Sequence, residues 1–147
     1  MCVIAIKKES KLENLNEIFE DMAIHNGDGV GLLYDDGRKM QVDHWLDPIA
    51  FLSQVSLIDH LASEDCSFFY IHFRYATHGL VSRSMCHPFY IGKGKWLMHN
   101  GIISGLGNEL ESDTSELAGL LERSSESDQD KILNMLATSG NGKFTVI

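Results

Sequence analysis

Apolar residues recur along this chain at two periods, and their order predicts its architecture. The run CVIAIK, residues 2–7, reads as a short buried strand. Leu12, Leu15, Ile18, Phe19 and Met22 then recur at helical spacing. Ser10 followed by Glu13 has the form of a capping box that would open that helix. GVGLLYDDGRKMQVDHW gives two strand-like runs around Asp36-Gly37, the strongest short hairpin signal in the sequence. Asp47-Pro48 joins an N-cap residue to a proline at the first helical position, and predicts a helix through DPIAFLSQVSLIDHLA.

In CSFFYIHFRY the period becomes two, so Phe69, Ile71 and Phe73 face one side and Tyr70, His72 and Arg74 the other. A second hairpin is expected around Gly92 to Gly94. SDTSELAGLLER and SDQDKILNMLA read as two helices with Ser/Asp caps, and KFTVI closes the chain as a strand. Strands, hairpins and helices in this order suggest an α+β fold, antiparallel sheets with helices packed on their faces. No repeat, low-complexity tract or linker divides residues 1–147, which are read as one domain.

Composition narrows the partners more than the fold. A formal net charge of −9 argues against nucleic acid or an anionic membrane, both of which call for a basic footprint. Three widely spaced cysteines (Cys2, Cys66, Cys86) make a disulfide framework improbable and favour a reducing, cytoplasmic setting. No apolar run approaches the length of a membrane span, and the N-terminal stretch is too short for a secretory signal.

Several segments carry chemistry-bearing residues, each with a plain structural alternative. HNGDGVG, His25 to Gly31, lacks the lysine of a phosphate loop and the carboxylates of a calcium loop, so a tight turn entering a strand is the better reading. His72, His78, Cys86, His87 and His99 show no zinc-site spacing, and a metal assembled across strands is the minority alternative. Arg74 ends an apolar strand, where an unpaired guanidinium is costly, so it either pairs internally or waits for a ligand carboxylate. In HNGII, Asn100-Gly101 is an ordinary turn, yet a side-chain amide beside a flexible N–H can also form an oxyanion hole. Ser112 and Asp113 are good helix starters, and a carboxylate there can also meet an ammonium group.

Taken together, MC at the terminus, FRYATHG, HPF, HNGII and SDT resemble, in order and rough spacing, the class II glutamine amidotransferases. These are N-terminal-nucleophile hydrolases whose first mature residue is a catalytic cysteine. NGDGVGLLY before the first hairpin makes the chain similar to their short, stand-alone type associated with phages and bacteria. The resemblance implies a four-layer α/β/β/α sandwich, reduced at the C-terminus or completed by a partner, because domains of this type usually continue beyond the point where KFTVI ends. It further implies that Met1 is removed to give Cys2 a free α-amine as its base, with Asn100 and Gly101 holding the oxyanion. Arg74 would grip the α-carboxylate of glutamine and Asp113 its α-ammonium, with Thr77 and His78 lining or supporting the pocket. The expected reaction cleaves the side-chain amide of glutamine, or of a related γ-glutamyl-like amide, through a thioester and releases ammonia, with no metal or cofactor. Any ammonia acceptor would be a separate enzyme. The alternative is a catalytically inactive binding module on the same fold, engaging a protein or a small amide ligand.

Overall fold

A computed structural model describes residues 2–147. Its first sheet holds β1 (Val3–Lys8), β2 (Val30–Asp35), β3 (Met40–Trp45) and β4 (Phe68–Phe73), in the order β1-β4-β2-β3 and antiparallel throughout. The second, also antiparallel, holds β5 (Phe89–Tyr90), β6 (Trp96–Asn100) and β7 (Lys143–Val146) in that order. The helices are α1 (Leu15–His25), α2 (Pro48–Leu52), α3 (Val55–Ala62), α4 (Asp113–Glu122) and α5 (Glu126–Thr138). The chain is thus a mixed α+β domain with antiparallel sheets. Among the described residues no helix is long and apolar enough to cross a membrane.

Each sheet has its own apolar cluster. On β4, Phe69, Ile71 and Phe73 join Leu15, Phe19 and Met22 of α1, Phe51 of α2 and Ile58 and Leu61 of α3. Phe19 lies 5.4–5.9 Å, centroid to centroid, from Phe51, Phe69 and Phe73, in tilted or edge contacts that aromatic rings favour. The second cluster sets Leu97 of β6 and Ile91 against Leu117, Ala118 and Leu121 of α4, with Ile132 and Leu136 of α5 beside them. Leu33 and Met98 are fully buried but belong to neither cluster. By strand alternation both point away from the helices on their own sheets.

Two expectations need correction. The Ser10/Glu13 capping box does not form: Asn14, in the left-handed region at φ 58°, precedes the first turn of α1 without a side-chain cap. The segment that would have been that cap is drawn instead onto α3, where Leu12 N–H donates to Ala62 O. The single helix expected after Asp47 is broken at Ser53-Gln54 into α2 and α3. Its start is as expected, with Asp47 Oδ1 accepting from Ile49 N–H at 2.8 Å. The Asp36-Gly37 hairpin also forms: Asp36 Oδ1 takes the N–H groups of Arg38 and Lys39, and Gly37 turns at φ 83°.

One glycine fixes how the second half of the chain meets the first. In the β2–β4 register Gly31 lies opposite His72. A Cβ on Gly31 would fall 1.3 Å from the His87 carbonyl oxygen. Only a residue without a side chain lets the His87–Pro88 segment cross the sheet there, which sets the His72 and His87 rings 4.0 Å apart. Gly31→Ala is therefore expected to lower unfolding free energy by about 2–3 kcal/mol through overpacking against backbone. Urea denaturation checks this, and an unchanged midpoint contradicts it.

Candidate active site

β1 and β4 lie side by side, with Val3 opposite Phe73, so the next residues outward, Cys2 and Arg74, are neighbours at the same end of the ladder. The HNGDGVG turn continues the pairing on the other side. Arg74 N–H donates to Gly29 O, Asp28 N–H donates to Arg74 O, and Asp28 Oδ2 accepts from Ala76 N–H at 2.7 Å. This segment is a turn, as its residues suggested, and it also holds the backbone that runs past Cys2. The Cys2 thiol uses that backbone: Tyr75 N–H donates to Sγ at 3.3 Å, and Sγ lies 3.4 Å from Tyr75 O. Burial pushes the Cys2 thiol above its ordinary value, more than the Tyr75 N–H and the Arg74 guanidinium pull it down.

Two adjoining cavities meet at Cys2. The inner one, of about 30 Å³, is lined by Cys2, Arg74, His72, His87, His99 and Asp113, with Thr77, His78 and Gly101 at its walls. The outer groove, of about 580 Å³, is lined by Asn100, Gly101, Ile102 and Lys143 and shares Cys2, Tyr75 and Thr77 with the inner cavity. The seven residues singled out from the sequence thus line one continuous site: Arg74, His78 and Asp113 inside, Asn100 outside, and Cys2, Thr77 and Gly101 at the junction.

Arg74 is 4% exposed. Its guanidinium donates from Nη1 to Leu80 O at 2.9 Å and from Nη2 to His78 O at 3.0 Å. Of the two sequence alternatives the internal ion pair is not formed, because among the described residues no carboxylate pairs with it. The loop it grips is docked on the approach to α4: Gly79 N–H donates to Asn108 O, and Gly79, at φ 73°, leaves no room for a Cβ against Ser112 N.

Ser112 caps α4 through its Oγ, which accepts from Ser115 N–H, and this sets Asp113 at the first helical position. Asp113 is 5% exposed. Its Oδ2 accepts from Ile103 N–H and its Oδ1 from Thr114 N–H, both at 2.7 Å. Asn100 ends β6, and its Oδ1 is buried without a hydrogen-bond partner. At Gly101 a Cβ would meet Gly142 Cα at 2.6 Å and Asn141 O at 2.7 Å, so the turn lies directly against the entry to β7.

His72, His87 and His99 drew notice in the sequence only as metal candidates. Among the described residues no group of three or more His, Cys, Asp or Glu is arranged to hold a metal ion. Both ring nitrogens of His72 and Nδ1 of His87 are buried without a partner. His99 is buried and bonded through both nitrogens, to Thr114 Oγ1 and Asn141 O, and stacks on Phe144 at 4.4 Å. The signal for His72 was present, since it shares a strand face with Arg74. His99 and Gly142 meet only through the pairing of β6 with β7, which no local pattern announces.

The fold, a mixed α+β domain with antiparallel sheets, is shared with two solved structures. The chain is similar to the glutamine phosphoribosylpyrophosphate amidotransferase of B. subtilis, solved with ADP and GMP, at a TM-score of 0.61 and 22% identity. It is equally similar, at 0.61 and 21% identity, to a structure described as the allosteric regulatory enzyme of purine biosynthesis. In both cases all of this chain is covered and it spans 35% of the other. No protein-family model matches the chain, and no curated protein does.

Burial, the largest cause, drives the imidazoles toward the neutral form: His72 to about 3, His87 well below its ordinary value, and His99 downward. An unfolded histidine titrates near about 6.5. Between that value and the lowered ones the unfolded chain binds protons the folded chain does not, so stability is full above about pH 6.5 and falls as pH drops. Urea unfolding is expected to lose on the order of 2 kcal/mol through His72 between pH 7.5 and 5, with His87 and His99 acting in the same direction. His72→Leu is expected to flatten that slope, and an equally steep slope in the variant contradicts the assignment.

Proposed function

We propose that this chain is an N-terminal cysteine amidohydrolase or amidotransferase that cleaves the side-chain amide of glutamine, or of a related γ-glutamyl-like amide. The observation that carries the reading is the pairing inside one cavity of a buried guanidinium, Arg74, with a buried carboxylate, Asp113, that make no ion pair with each other, both beside Cys2. Opposite charges held apart in a buried cavity suit an α-amino acid head group, carboxylate to Arg74 and ammonium to Asp113. A substrate carboxylate would displace two neutral carbonyls from the guanidinium, an exchange that charge favours. The ordered motifs of the sequence and the likeness to a glutamine amidotransferase support the same assignment.

On this reading the resting Cys2 is a thiol, because burial raises it, and it needs a base. Removal of Met1, which lies outside the described residues, would supply one as the α-amine of Cys2, whose ordinary pKa is about 7.7–8.0. The amine takes the thiol proton as Sγ attacks the amide carbon. The carbonyl oxygen gains charge between the Asn100 side chain and the Gly101 N–H. The C–N bond breaks, ammonia leaves with a proton returned from the amine, and a γ-glutamyl thioester remains. Water then attacks the thioester carbon, the C–S bond breaks, and glutamate and the free thiol result.

Leu33 and Met98, buried outside both helix-facing clusters, support a face-to-face stack of the two sheets between helical layers, the four-layer α/β/β/α arrangement. Thr77 and His78 would line the head-group pocket. Transfer of ammonia to an acceptor would be the task of a protein or segment beyond these 147 residues.

The Met1-free chain is expected to release ammonia from glutamine. Asn100→Ala should lower kcat by about 10²–10³, whereas Arg74→Gln and Asp113→Asn should act chiefly by raising KM. Absence of ammonia from glutamine and related amides with Met1 removed would sink the proposal and favour a binding module.

A further inference from the structure

His99 stands where three parts of the site converge. It precedes Asn100, the last residue of β6, and the Gly101 that follows the strand, and its Nε2 lies 2.7 Å from Asn141 O, in the loop entering β7. Its Nδ1 lies 3.0 Å from Thr114 Oγ1, beside Asp113 at the start of α4. A carbonyl oxygen can only accept, so Nε2 carries the hydrogen. In the neutral ring Nδ1 then has only a lone pair and must accept the Thr114 hydroxyl hydrogen. Burial, which lowers the ring's pKa, agrees with that neutral form.

The hydroxyl has one hydrogen and two candidate acceptors. Thr114 Oγ1 is also 3.2 Å from Asp113 Oδ1, which already accepts Thr114 N–H at 2.7 Å. Given to His99, the hydroxyl hydrogen leaves lone-pair capacity on Asp113. Given to Asp113, it would occupy the oxygen that a substrate ammonium needs.

We propose that His99 is a positioning residue with two effects: it draws the Thr114 hydroxyl away from Asp113, keeping that carboxylate open to an ammonium, and it ties the Asn100–Gly101 turn to the loop at Asn141. This rests on the proposed function for its kinetic consequences, though the hydrogen-bond pattern itself stands apart from any activity. The space around the ring is consistent with a fixed tie. A Cβ on Gly101 or Gly142 would come within 2.9 Å and 2.7 Å of His99 Nε2, so both glycines pack directly against it.

His99→Phe keeps a ring against Phe144 and removes both hydrogen bonds. The Thr114 hydroxyl then turns to Asp113, and the oxyanion turn loses its tie. Each lost bond is expected to cost about 5- to 10-fold, one seen as a raised KM for glutamine and the other as a lowered kcat. Adding Thr114→Val deletes the competing hydroxyl. The double variant should therefore recover most of the KM loss and none of the kcat loss, which a general loosening of the fold would not produce. A KM in the double variant no better than in His99→Phe, or a single variant with both constants unchanged, overturns the proposal. Nitrogen-15 spectra of the wild-type ring are expected to show protonated Nε2 and bare Nδ1, with the Nδ1 signal moving in Thr114→Val. A protonated Nδ1 overturns it even if His99→Phe does not fold. If the wild type releases no ammonia while the spectra are as expected, the functional reading has failed and the hydrogen-bond assignment has not.

Discussion

A guanidinium buried without a carboxylate beside it is the constraint around which this site is arranged. Arg74 is at the end of β4 because the strand's apolar face must pack on α1 to α3, and alternation carries the arginine to the opposite side. There, among the described residues, the carbonyls of His78 and Leu80 accept its hydrogens without neutralising its charge. Those carbonyls belong to a loop fixed to the residues before α4, so the cation and the Asp113 carboxylate are positioned by the same contacts. The desolvation cost of such a charge is what the proposed function offsets with a substrate carboxylate.

The surroundings of Cys2 have a complementary character. The same burial that raises its thiol also keeps His72, His87 and His99 neutral. The immediate cavity therefore contains neutral imidazoles, one fixed cation and one fixed anion. On the proposed function the thiol, raised by burial, needs a base beside it, and that would tie activity to the fate of the residue before Cys2.

Much of this was legible in the sequence, and the reasons for the rest are physical. Local signals fixed in the chain survived folding: the Asp36-Gly37 turn, the Asp47-Pro48 cap, the alternation in β4 and the Ser112 cap all appear where their residues predict. Ser10 and Glu13 failed because a backbone bond to Ala62, fifty residues on, outbid a cap worth about 1 kcal/mol. The break between α2 and α3 was likewise invisible in an apolar helical pattern. Within the site, residues adjacent in sequence to a recognisable motif were found, whereas Gly31, His99 and Gly142 owe their roles to close approach between distant segments. Glycine is silent in any pattern of apolar residues, yet at Gly31 its missing side chain is what allows His87 to reach His72.

The claim that Cys2 is a nucleophile served by its own amine is tested most directly by intact mass and peptide mapping. The chain, freed of Met1, would be treated with a diazoketone analogue of glutamine. One adduct is expected, on Cys2, absent from Cys2→Ala and from chains that retain Met1. Modification that persists unchanged in Cys2→Ala, or that falls equally on Cys66 and Cys86, would contradict it.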